Sequence, residues 1–158
     1  MAVTTDIFES WLRPRLVVGR LLARERSEPF ALSLLLTFLL LALVASLPNL
    51  ARQGFLDGGT PLAPRVLGAA LGLLATLPGL YLLAAIGSLI ARRFGAGASY
   101  YGGRIAMFWA LLAATPGMLV VGLMQGMLGP ATATVTLSLA VVVVFLVFWV
   151  IGLKEASK

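Results

Sequence analysis

The sequence predicts an all-α polytopic membrane protein, with four transmembrane helices following an amino-terminal amphipathic helix that lies along the cytoplasmic surface. Three observations carry that reading. Hydrophobic residues make up 60% of the 158 and charged residues only 11%, with a mean hydropathy of +1.02. A soluble domain needs about 25% charged residues to wet its surface, so most of this chain faces lipid. Four long stretches carry no charged side chain at all: Phe30–Leu47, Val66–Ala91, Ile105–Leu128 and Val135–Leu153. The basic residues crowd into the segments on one side of those stretches.

Taken in order, residues 1–29 form a cytoplasmic interfacial segment, 30–153 the four-span domain and 154–158 a cytoplasmic tail. In the first segment Ile7, Trp11, Pro14, Val18 and Leu21 recur at the spacing of one helical face. Arg13, Arg20 and Arg24 share another face. Pro14 is poorly placed inside a helix, so the spacing predicts a break there and a helix restarting with Pro14 in its first turn. Such a segment lies apolar face down, with Arg13, Arg20 and Arg24 toward anionic headgroups. The alternative is that the basic cluster only enforces topology. Ser27-Glu28-Pro29 reads as the start signal of the first span.

Even the shortest span, 18 residues, gives roughly 27 Å at the helical rise, against a hydrocarbon core of about 30 Å. Strands are excluded because barrel strands alternate and these runs are uniformly apolar. A signal peptide is a poor reading of the first span, which starts at residue 30 and exceeds a signal core in length. For orientation, Arg13, Arg15, Arg20, Arg24, Arg26, Arg92, Arg93, Arg104, Lys154 and Lys158 lie on one side and Arg52 and Arg65 on the other. Retained loops are the basic ones, so both termini are expected in the cytoplasm. Trp11, Trp109 and Trp149 fall near that same face. The excess of arginine over lysine, with abundant Ala, Leu and Gly, points to a bacterial inner-membrane protein.

Chemistry is bounded by what is missing. Neither cysteine nor histidine occurs, which removes thiolate nucleophiles, the commonest metal ligands and the usual base near neutral pH. The spans hold no ionisable side chain other than tyrosine, so a proton relay or intramembrane protease lacks its parts. No enzyme activity, cofactor or metal site is expected. The glycine-rich loop from Phe94 to Arg104 lacks the Gly-Lys-Ser/Thr ending of a nucleotide loop and reads as a turn, with Ser99 capping the next helix. Arg92, Arg93 and Arg104, with Tyr100 and Tyr101, read as headgroup contacts and not as a nucleic-acid surface.

Two features concern packing. Leu73-Leu-Ala-Thr-Leu-Pro-Gly79 and Leu111-Leu-Ala-Ala-Thr-Pro-Gly117 match at an offset of 38 and place Pro78 and Pro116 as mid-span kinks. Paired interrupted helices mark transporter sites, which makes a small oligomeric channel or permease the alternative function. Gly68 and Gly72 form a Gly-x-x-x-Gly face near the start of the second span, and Gly122 and Gly126 another near the end of the third. Small residues let helices approach closely in lipid. The sequence therefore predicts that these two faces meet in an antiparallel hairpin, tight in its outer half and able to splay at the prolines.

The basic Arg13-Pro14-Arg15 segment, the Gly95-Ala-Gly-Ala-Ser-Tyr-Tyr101 turn and the Phe108-Trp109 to Pro116 stretch together resemble the bacterial branch of the Yip family of small polytopic membrane proteins. The resemblance runs from about Pro14 to the fourth span. It implies a cytoplasmic amino terminus and a non-enzymatic role, organising membrane or binding a membrane-protein partner or a second copy. The family's usual fifth span and its Asp-Leu-Tyr-Gly-Pro motif are absent, so GTPase binding is not implied.

Overall fold

The computed structural model describes residues 3–59, 61–93, 97 and 99–157. Among them the regular elements are all helices: α1 (Val3–Leu12), α2 (Pro14–Leu22), α3 (Glu28–Leu56), α4 (Leu62–Ala75), α5 (Leu77–Arg93), α6 (Tyr100–Ala113), α7 (Thr115–Leu128) and α8 (Thr132–Glu155). Three stretches are long and apolar enough to cross a membrane: α3, the α4–α5 run and α8. A fourth is added if α6 and α7, bent by 43° at their junction, count as one span. Parts of the glycine-rich turn, Phe94, Gly95, Ala96 and Ala98, lie outside the described residues, as does Lys158.

Local chemistry explains most helix ends. Ser27 is extended, its hydroxyl accepts from the Phe30 N–H at 3.3 Å, and Pro29 stands in the first turn of α3. Ser99 caps α6 in the same way through the Gly102 N–H at 3.0 Å. Pro14 opens α2, immediately after the break at Arg13. The first long helix does not stop at Leu47: it continues through Pro48 to Leu56, 29 residues in all. Pro48 can contribute no N–H to the Val44 carbonyl, but that deletes one bond from a long helix held on both sides of it. The helix ends only where Gly58 and Gly59 adopt φ of 80° and 79°, which side-chain-bearing residues rarely take. At about 43 Å, α3 exceeds the hydrocarbon thickness, so it tilts or protrudes.

The two matched motifs break at matched places, Thr76 and Ala114, each two residues before a proline. Pro116 lacks the N–H that would serve the Leu112 carbonyl, and the Thr115 hydroxyl supplies the donor instead at 2.7 Å. The Thr76 hydroxyl donates to Leu73 O at 2.6 Å, a carbonyl that already accepts the Thr76 N–H, and so does not reach Leu74 O, the one Pro78 deprives. At Pro116 the hydroxyl beside the proline thus keeps a backbone carbonyl satisfied where water is absent.

The bundle is organised around α6. Eleven of its residues are buried, among them Ile105, Met107, Phe108, Trp109 and Leu112. Around it stand the starting half of α3, α5, α8 and the α1–α2 pair. Past the bend, α7 packs chiefly on α3 and next on α8. Among the described residues, the helix α4 touches only α3 and its continuation α5, and none of its residues is buried.

The predicted glycine hairpin is not formed. Gly122 and Gly126 pack on α3, where added Cβ atoms would collide with the Ala45 carbonyl and with Pro48. Gly68 and Gly72 meet nothing within 4 Å. The second and third spans do pack, but in the other half: the space beside Gly103 is taken by the Ser88 side chain. The cause is the bend at Ala114, which swings α7 away from α4 and onto α3. There the two helices run in the same direction, with Gly122-x-x-x-Gly126 matched to Ala45 and Pro48.

Candidate functional site: the basic end of the bundle

One end of the bundle gathers the start of α3, the end of α5, the start of α6 and the end of α8, together with Arg26, Arg92, Arg104 and Lys154. The α1–α2 pair docks here as an antiparallel hairpin. Its inner face is Ile7, Val17, Val18 and Leu21, all buried. The Arg20 guanidinium reaches back across the hairpin to Asp6, at 3.3 Å, and to Glu9. Ser10, 1% exposed, joins the hairpin to the bundle: its hydroxyl donates to the Asp6 carbonyl at 2.8 Å and accepts from Trp109 Nε1 at 3.0 Å. Trp11 Nε1 donates to the Ala113 carbonyl at 3.1 Å, just before the α6–α7 bend, and its ring meets Phe148 edge-on at 5.6 Å.

That docking sets a depth. Phe148 stands six residues before Lys154 on α8, about 9 Å along the axis. The turn of the hairpin therefore lies below the ring of basic residues, among apolar side chains. The hairpin's exposed large apolar side chains include Phe8, 71% exposed, and Leu12, 85%, one turn apart on α1, and Leu16, 45%, on α2. The amino-terminal segment is thus two short helices folded onto the bundle, broken before Pro14 as the spacing predicts, with apolar side chains also on the outside.

The arginines divide. Arg13 is exposed at the hairpin turn. Arg24 lies over the Phe30 ring at 5.2 Å. Arg20 does not share their environment: it is taken up by the α1 carboxylates, Asp6 and Glu9. Arg92 lies 4.1 Å above the Tyr100 ring, and Arg93 is exposed at the end of α5. Arg104 pairs with Glu28 at 2.9 Å and approaches the Tyr81 ring. Arg26, Glu28, Arg92, Ser99, Tyr100, Tyr101 and Arg104 line a cavity of about 380 Å³, steadied by hydrogen bonds between the Tyr101 hydroxyl and the Ser27 backbone. Of the residues singled out in the sequence, Arg92, Ser99, Tyr100, Tyr101 and Arg104 meet in this cavity; Gly68, Gly72, Pro78, Gly122, Gly126 and Pro116 lie elsewhere.

Sequence reasoning passed over Asp6, Glu9 and Ser10. The available signal was an acidic pair three residues apart in an otherwise basic segment, followed by Arg20 at hairpin distance. It also passed over Trp149 as anything but an interfacial ring. Compared with protein-family models, curated proteins and solved structures, the chain matches none. The Yip resemblance therefore rests on the motifs quoted above.

Proposed function

We propose that this is a non-catalytic, membrane-organising protein of the Yip type, whose α1–α2 hairpin acts as a wedge in one leaflet. The observation that carries this reading is the docked hairpin itself, held at the depth of Phe148 by Trp11 while Phe8, Leu12 and Leu16 point away from the bundle. Two extra helices at one end enlarge the cross-section there and not at the other. Apolar segments buried 5–10 Å below the headgroups displace acyl chains and favour curved or loosely packed lipid. Arg13 and Arg15 flank the turn, and their flexible stems allow the guanidiniums to reach back to anionic headgroups. In this reading α6–α7 forms one bent span, four spans cross a bacterial inner membrane, and the basic end with both termini faces the cytoplasm.

The test is reconstitution into vesicles of graded size. The protein should partition preferentially into small vesicles, and Phe8→Ser/Leu12→Ser should abolish the preference. Equal partition of the native chain across sizes would overturn the wedge. Reporter fusions at Ser157 should report cytoplasm and at Gly58 the far side; the reverse result would overturn the orientation.

A small oligomeric channel or permease is a second reading, favoured by one feature. At the far end Asn49, Gln53, Gln125, Thr134 and Ser138 line a polar recess of about 280 Å³. Deeper in the bundle the recess between α3 and α4 is lined by Leu36, Leu39, Leu40, Leu43, Leu73, Leu74 and Ala70, which offer no polar path. Solute flux into liposomes would favour the permease over the wedge.

A further inference from the structure

Three of the long apolar runs meet the basic end: Phe30–Leu47 and Ile105–Leu128 begin there, and Val66–Ala91 finishes there. The polar residues that bound them converge on one place. Arg26 stands four residues before the first run, Arg92 directly follows the second and Arg104 directly precedes the third. All three line the cavity of about 380 Å³, together with Glu28, Ser99 and the two tyrosines. Because its residues border three spans at once, the cavity lies at headgroup depth, where tyrosines are also at home.

The cations are held in position. Arg92 lies on the Tyr100 ring at 4.1 Å. Both terminal nitrogens of Arg104 stand 2.9 Å from the Glu28 carboxylate oxygens, and its Nε donates to the Tyr100 carbonyl at 3.3 Å. The Tyr101 hydroxyl accepts from the Ser27 N–H at 3.2 Å and donates to the Ser27 carbonyl at 3.4 Å, which fixes the backbone next to Arg26. Among the described residues, the lining holds three guanidiniums and one carboxylate, an excess of two positive charges. Cations gathered in one cavity repel each other until an anion joins them, and such a cleft concentrates anions.

The type of cation narrows the anion. All three are arginines, whose planar forks match the oxygens of phosphate. A phosphate monoester carries about −1.5 to −2 near neutral pH, which answers an excess of two better than the single charge of a phosphodiester. We propose that this cavity binds one phosphate monoester group, presented by a membrane lipid whose acyl chains descend into the bilayer. The proposal rests on the membrane-spanning reading of the chain and is independent of the α1–α2 wedge, so a lost preference for small vesicles would leave it standing.

The experiment titrates the purified full-length protein in detergent with dioleoyl phosphatidic acid, a monoester, and with dioleoylphosphatidylglycerol, a diester with the same chains. Bound lipid is counted by native mass spectrometry. The native chain should take up one phosphatidic acid about fivefold more tightly than phosphatidylglycerol, the effect of about one added charge among surface cations. Arg26→Gln and Arg92→Gln should each weaken phosphatidic acid about fivefold and shrink the preference. Glu28→Gln removes the internal competitor and should tighten phosphatidic acid, which loss of a merely structural carboxylate would not do. Lys154→Gln removes the same charge at the same end but outside the cavity, and should leave the preference intact. Equal affinity of the native chain for the two lipids would overturn the proposal without recourse to any variant. So would a preference that survives both arginine variants, one that Lys154→Gln reduces as much as they do, or a Glu28→Gln chain that binds no more tightly. Displacement of phosphatidic acid by an equal concentration of glycerol 3-phosphate would overturn the lipid source and assign the cavity to a soluble ester.

Discussion

The two halves of the bundle are built from similarly apolar residues and hold together by different means. At the basic end α6 is enclosed on all sides, and polar side chains tie distant segments together: Trp109 to Ser10, Trp11 to the Ala113 carbonyl, Arg20 to Asp6, Arg104 to Glu28. At the far end the seam of α3 against α7 carries most of the packing, and α4 lies on α3 with none of its own residues buried. Lipid is as apolar as leucine, so burial of apolar surface does not draw helices together within it. Close approach of small residues and hydrogen bonds with no water to compete for them must do so. The basic end has both, and the far end has small residues where Gly122 and Gly126 meet α3 but not where Gly68 and Gly72 face outward.

The contrast can be broken most sharply by crosslinking in this cysteine-free chain. A Cβ at Gly102 would stand 3.1 Å from the Ala156 Cβ, so Gly102→Cys/Ala156→Cys should form a disulfide within one molecule. Gly72→Cys/Gly122→Cys should not. Should the second pair close intramolecularly, the far half is packed as the glycine spacing predicted. Bonds at Gly72 that appear only between molecules would identify the open α4 face as a contact with a second copy.

Next in size is Gly122→Val, which drives a side chain into the Ala45 backbone and should cost about 1–3 kcal/mol in detergent unfolding. Gly72→Val, facing open space, should stay within about 0.5 kcal/mol. Similar losses from the two would erase the distinction between seam and open face.

Ser10→Ala tests whether hydrogen bonds secure the basic end. It leaves the buried Trp109 N–H unpartnered and should cost about 1–3 kcal/mol. The loss should be accompanied by faster proteolysis of residues 3–22, since the hairpin loses an attachment to α6. A change confined to global stability, with the hairpin equally protected, would mean that Val17, Val18 and Leu21 hold it unaided.

The smallest effect belongs to Arg20→Gln. The guanidinium is 35% exposed and screened by solvent, so about 0.5 kcal/mol should be lost, and less at high salt. A larger loss would show that Asp6 depends on this one cation.

The sequence alone determined what is local along the chain. Long uncharged runs specify helices able to cross a membrane because every backbone group there must be satisfied within its own segment. Ser27, Ser99 and Pro14 mark helix starts through groups only a few residues away. Pro78 and Pro116 interrupt their helices wherever those helices finally pack. Tertiary structure decided which faces meet. Leucine toward lipid and leucine toward protein are indistinguishable in a sequence, so neither the pairing of Gly122 with Ala45 nor the exposure of α4 could be read there. The partners of Asp6, Ser10 and Trp11 depend on a hairpin returning across the bundle and on the bend at Ala114. Among the described residues the buried Trp149 N–H has no partner, because its neighbours Gly87 and Phe145 bring apolar groups and no acceptor, a property of the assembled bundle and of no single residue in it.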